Sequence, residues 1–241
     1  MTGVIGKYFN NGFPGTIAEM GDDLAKTFPN TGDATMNFGA AVFSLGAGVG
    51  VAGSTGLVPT AALFSGVALA HVQTANTYTA QNMGAYGVNA PVPVLERGGV
   101  VVQVYPAASN LAALNGNAYV RIANGTAAKP VSGVEAASDA TTYTATVTTQ
   151  TSGSASIVVS SVANLAVGMT VSGTGIPAGA IITAINVGTL TITISAVATA
   201  SASSGTLTFG GNTLLLTNCV FGCASDTNGA ASLVIKSRNN A

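Results

Sequence analysis

Few residues in this chain are equipped to do chemistry. His71 is the sole histidine, and it sits in the apolar run ALAHV with no recognisable nucleophile motif nearby, a setting in which core or interface burial is commoner than general-base work. Glu19, Asp22 and Asp23 lie close enough in sequence to collect a hard cation. No loop of alternating oxygen ligands surrounds them, and charges at a helix start explain them better. Cys219 and Cys223 have no further cysteine beside them, and His71 is the one residue left that could extend them toward a tetrahedral zinc set. They read instead as small buried hydrophobes, and only a tight turn through residues 220–222 would bring their α-carbons within disulfide range. Gly48, Gly50 and Gly53 satisfy a G-x-G-x-x-G pattern, but Ser-Thr-Gly-Leu-Val-Pro follows and cannot begin the long helix whose N-terminus holds pyrophosphate. Asn124-Gly125-Thr126 has the form of a glycosylation sequon and reads more simply as a hairpin turn. The residues therefore point to no catalytic group, no metal and no cofactor.

The wider composition removes other classes of partner. A net charge of -1, with seven Lys and Arg scattered from Lys7 to Arg238, lacks the electrostatic footprint of a nucleic-acid binder. The best apolar stretch, beginning at Gly39, is short and glycine-laden, so no membrane span is expected. The start MTGVIGKYFNN shows no basic region followed by an apolar stretch and a small-residue cleavage site, which leads us to expect that the chain starts folding in the cytoplasm.

The elements that must position these residues are strands. Apolar residues make up 48% of the chain and charged residues only 6%, against about 25% in an ordinary domain, so short hydroxyl and amide groups must keep the surface wetted. Those side chains suit strand faces and turns, and the expected fold class is all-β, with at most one or two short helices. The one helix signal is at Thr16 and Glu19, which have capping-box spacing, with Ile17, Met20, Leu24 and Phe28 along one face before Pro29. AAVFSL, ALFSGVALAHV, VPVLERGGVVVQVYP and NAYVRIANG read as successive strands. Arg97-Gly98-Gly99 serves as a turn, and VVVQVY, apolar without alternation, as a strand buried on both faces. Composition shifts near Val131 to a Ser- and Thr-rich stretch, either a linker or the first strand of a second unit. Leu190, Ile192 and Ile194 alternate with Thr and Ser as in a half-buried antiparallel strand. After residue 210 the texture changes again, through NTLLLTNCVFG and ASLVIKS, and the tail is expected to return to the first unit. The resulting division is a base domain of residues 1–140 plus 211–241, with residues 141–210 inserted as a small projecting β-sandwich.

Two stretches carry resemblances. The string Gly-Thr-Gly-Ile-Pro-Ala-Gly from Gly173 to Gly179, followed by TLTITISAVATAS, resembles a small immunoglobulin-like β-sandwich module that recurs in phage structural proteins. The N-terminal half, with PGTIAEM, FSGVALAHV, a Tyr-Gly stretch, PVPVLERGGVVVQV and then NAYVRI, resembles the phage structural cement family. That resemblance implies a β-barrel or sandwich-like base and a capsid decoration protein that binds the outside of the head and stabilises it. The implied partner is the major capsid protein, with self-association as a dimer or trimer on the shell. Exposed features of residues 4–28, namely Val4, Lys7, Phe9, Glu19, Asp22 and Phe28, are the expected capsid contacts. An exported bacterial surface or adhesion protein is the alternative, since Thr- and Ser-rich sandwiches also build such layers. A glycan-active enzyme is a weaker reading, because the carboxylates are dispersed and tryptophan is absent.

Overall fold

A computed structural model describes residues 13–70, 84–108 and 111–237, with the side chains of residues 19–22 outside that description. The strands are β1 (Ile17–Pro29), β2 (Met36–Asn37), β3 (Ala41–Leu45), β4 (Gly48–Gly50), β5 (Phe64–Ala68), β6 (Ala85–Tyr86), β7 (Pro91–Tyr105), β8 (Asn117–Arg121) and β9 (Val134–Glu135). They continue as β10 (Thr142–Gln150), β11 (Ser156–Val159), β12 (Thr170–Ser172), β13 (Ile182–Asn186), β14 (Thr191–Ile194), β15 (Thr206–Gly210), β16 (Thr213–Phe221) and β17 (Ala230–Ile235). Among the described residues the only helical turn is a short 3-10 segment, Ala61–Leu63, capped by the Thr60 hydroxyl. The all-β expectation holds.

β7 organises the first sheet. Its second half pairs with β17, and β17, β16, β8 and β9 then follow in order until β9 returns to β7 in parallel, which closes a five-stranded barrel. Closure removes the exposed edges that an open sheet of this length would offer to other chains. Val100, Val101, Val102 and Val104 are all buried, as the unbroken apolar run leads one to expect of a strand covered on both faces. The first half of β7 pairs with β5 and β1, and β3 and β4 extend that wing.

Two local expectations are corrected here. Residues 17–29 form a strand against β7, not a helix. The Thr16 hydroxyl donates backward to the Phe13 carbonyl at 2.7 Å instead of capping a following turn, and an isolated helix of about a dozen residues is too marginal to compete with a long pairing partner. Arg97-Gly98-Gly99 is not a turn either, because β7 runs through it without interruption. The register on β1 jumps from Glu19 opposite Gly99 to Leu24 opposite Arg97, and the bulge lies over Gly98. Gly98 has φ +120°, and a Cβ there would run into the Asp23 carboxylate, so glycine is required by the bulge.

The Ser- and Thr-rich stretch is a strand: β10 enters a six-stranded sheet of order β12-β15-β10-β11-β14-β13. The first half of β10 pairs with β15 and its second half with β11. A bridge between Thr170 and Ile181 joins the opposite edge strands, so the two layers are continuous through β10 and meet again on the far side. Ile157, Ile182, Ile192 and Phe209 fill the interior with no exposure, while Thr191 and Thr193 face outward as their alternation predicts. Leu190 falls just outside β14, at a turn with φ +50°. All of this sheet lies within residues 142–210, and β16 and β17 return to the barrel.

Candidate functional site

Of the six expected contact residues, Val4, Lys7 and Phe9 lie outside the described residues, and Glu19 and Asp22 are placed on β1 by backbone only. Phe28 is half-buried opposite Val92, packed against a satellite core of Met36, Val42, Val49, Val51, Ala68, Val92 and Val94. It anchors β1 to the wing of the barrel. Lys26, two residues earlier on β1, reaches the buried Glu96 at 3.5 Å. Pro29 pairs with Pro91 and Ile17 with Val100, so β1 runs along most of β7, and its Ile17 end is the one nearer to Tyr105, which pairs with Glu135.

Gly48 and Gly50, read from sequence as an accidental nucleotide motif, belong to β4. A Cβ at Gly48 would run into the Pro29 carbonyl oxygen, so this glycine permits the close approach of β1 to β4. His71 lies outside the described residues. Cys219 and Cys223 are free: Cys219 is buried in the barrel, where loss of solvent pushes its thiol up to about 12, and the Cys223 sulfur accepts from the Ser232 amide at 3.2 Å. Burial also raises the Tyr105 hydroxyl. Among the described residues no three His, Cys, Asp or Glu side chains gather as metal ligands, and no helix is long and apolar enough to cross a membrane.

The most elaborate polar arrangement is at the root of the second sheet. The Arg121 guanidinium, at the end of β8, donates from Nε to Glu135 Oε1 at 2.6 Å and from Nη2 to Glu135 Oε2 at 3.2 Å, a two-pronged pair with both side chains buried. Nη2 also donates to Asp139 Oδ2 at 2.9 Å. Asn212 Nδ2 donates to the same Asp139 oxygen and to the Tyr143 hydroxyl, each at 3.2 Å, and its Oδ1 accepts from Asn124 Nδ2 at 2.8 Å. Lys129, half exposed, closes on Glu135 at 3.2 Å. Sequence reasoning saw Asn124 only as a turn residue. It missed Arg121, Glu135, Asp139 and Asn212 because they are up to about ninety positions apart, and the one local hint was that Glu135 and Asp139 are the last charges before the long uncharged stretch.

Burial works against the Arg121 charge, but the hydrogen bonds and charges of Glu135 and Asp139 outweigh it and raise its pKa. The Thr141 hydroxyl, followed by Arg121 and Asn212, holds the Asp139 carboxyl well below its ordinary 3.8 against the opposing effect of burial. A depressed carboxylate contributes stability that is fully present above its unfolded value and is lost as pH falls through the lower folded value. Replacing Asp139→Asn should therefore destabilise most at neutral pH, and the difference from the parent should shrink in acid below about 3.8, read as urea midpoints across that range.

Beyond the junction the surface changes character. No Asp, Glu, Lys or Arg occurs between Asp139 and Asp226. The outer face of β12, β15 and β10 presents Thr142, Thr144 and Thr146 beside Thr206 and Thr208, then Thr170 and Ser172, in rows fixed by strand register. Such a face offers hydroxyls and no charge, so anything it touches is held without long-range steering and with little sensitivity to salt.

No curated protein matches the chain. Residues 2–163, well over half of the chain, match the family described as structural cement protein (E217 gp24/Pam3 gp6), a span that takes in the barrel as far as β9 and continues through β10 and β11. An all-β chain built on a closed barrel, with ion pairs spent on tying strands together, agrees with a structural role, and the chain belongs to the phage structural cement protein family.

Proposed function

We propose that this chain is a non-catalytic decoration protein that docks on the outer surface of an assembled phage head, through residues 4–28, and stabilises the shell. The family membership carries this reading. On this reading residues 1–140 and 211–241 form the capsid-bound base, and residues 141–210 project from it. The major capsid protein is the partner, and the protein self-associates as a dimer or trimer over the symmetry axes.

Binding to the assembled shell but not to free subunits adds the binding free energy to shell stability by linkage, multiplied over every equivalent site. A rigid barrel with few long flexible side chains loses little conformational entropy on docking. The copy number in purified particles, measured by quantitative mass spectrometry against the major capsid protein, is expected to be near one or a simple symmetry-related fraction. Heads stripped of the protein should be fragile, and re-addition should restore them, while a chain lacking residues 1–28 should no longer bind. A trace amount in particles would overturn the reading in favour of surface adhesion, and undiminished binding of the truncated chain would remove the assigned contact segment.

A further inference from the structure

The chain leaves the barrel after β9 and re-enters it at β16, and the two crossings touch. The Asp139 amide donates to Thr213 Oγ1 at 2.8 Å, the Asn212 amide to the Asp139 carbonyl at 3.2 Å, and the Ile122 amide to the Asn212 carbonyl at 2.8 Å. Successive residues of an extended chain point to opposite sides. Arg121 and Asn212 accordingly meet Asp139 and Tyr143 on one side of the crossing. Their neighbours Ile122 and Gly211 line a cleft of about 240 Å³ on the other, together with Pro59 and Gly168, while the Thr213 hydroxyl stays on the Asp139 amide. The polar side is filled and hydrogen-bonded; on the cleft side the sheet meets the barrel at Gly168, where an added Cβ would press on Pro59 and Ile122, and Asn124 Nδ2 donates to the Asn164 carbonyl at 2.8 Å.

We propose that this junction is a locked hinge: the Arg121–Asp139–Asn212 network holds the six-stranded sheet at one angle to the barrel, and cutting it lets the sheet rock on the contacts that remain. Two narrow crossings, one Asn124–Asn164 hydrogen bond and the Gly168 contact restrain rotation at few points. The side-chain network adds a restraint that reaches from β8 and the outgoing strand to the returning one. The fixed angle matters wherever many copies must present the same surface, yet the hinge itself does not depend on capsid binding.

The test uses the full chain carrying Cys223→Ser, leaving the buried Cys219, with spin labels introduced by Thr27→Cys on β1 and Ser152→Cys in the second sheet. The parent should give one narrow distance distribution. In Asp139→Ala/Asn212→Ala, which leaves the Arg121–Glu135 pair in the barrel intact, the distribution should broaden by about twofold or more. A second label pair inside the sheet, Ser152→Cys with Ala184→Cys, should stay narrow. An unchanged Thr27–Ser152 distribution in a folded variant overturns the proposal, as does equal broadening of the pair within the sheet, which would mean that the sheet itself has loosened. Should the double variant not fold, Asn212→Ala alone is read by the same two criteria.

Discussion

Arg121→Ala is expected to lower the unfolding free energy by about 3–5 kcal/mol, the range for removing one partner of a buried pair. The mechanism is less the loss of attraction than the charge left behind. Glu135 is buried beside Arg121 and accepts two of its hydrogen bonds, so alanine strands a carboxylate in the barrel wall with only Lys129 to meet it. Lys129→Ala removes the other cation from the same carboxylate. Because that lysine is half exposed and solvent screens it, its removal should change stability by about 1 kcal/mol or less. Arg121→Met combined with Glu135→Leu should recover most of the loss, since apolar groups of similar volume leave no buried carboxylate in the barrel wall, and Asp139, which also loses Arg121, is partly exposed and keeps its bonds from Thr141 and Asn212. Chemical denaturation of the four proteins separates the alternatives. If the double variant is as unstable as Arg121→Ala, lost packing at Arg121 and not the stranded charge is the cause.

Phe221→Ala should destabilise by a similar amount, about 3–5 kcal/mol, for a different reason. Phe221 sits on β16 opposite Leu233 with no exposure, and its backbone donates to Gly116 and accepts from Asn115 whatever the side chain is. Truncation therefore leaves the ladder in place and opens a cavity inside the barrel, so the measured loss reports packing alone. Leu114, in the loop that Asn115 anchors, is 68% exposed, and Leu114→Ala should stay within about 0.5 kcal/mol. Thermal or urea unfolding of both variants gives the contrast directly. Near-equal losses would mean that the barrel interior relaxes around the missing ring.

Periodicity made the strands legible where each one's burial is a local matter. The buried valines of β7, the alternation around Ile192 and Ile194, and the runs that became β16 and β17 all appear where their apolar pattern puts them, because a side chain's exposure in a strand follows from period two. The pattern failed at residues 17–29. Spacings of three and four there mimic a helical face, and only the presence of β7 in space turns that segment into a strand with a bulge. Likewise Gly98 and Gly48 look like turn or motif glycines in a list of letters. What makes them glycines is a carboxylate and a carbonyl brought close by other strands.

By itself, then, the sequence determined the all-β class, the strand-rich texture of both sheets and the shortage of reactive groups, since composition and short-range alternation encode each of these, and its stretches from PGTIAEM to NAYVRI carried the resemblance to the cement family. The tertiary structure alone decided that β7 closes a barrel through β17 and β9, that the outgoing and returning crossings lie side by side, and that Arg121, Glu135, Asp139 and Asn212 form one network. These are contacts between residues far apart in the chain. Their partners are chosen by strand pairing and loop closure over the whole molecule, and no local window of sequence contains that information.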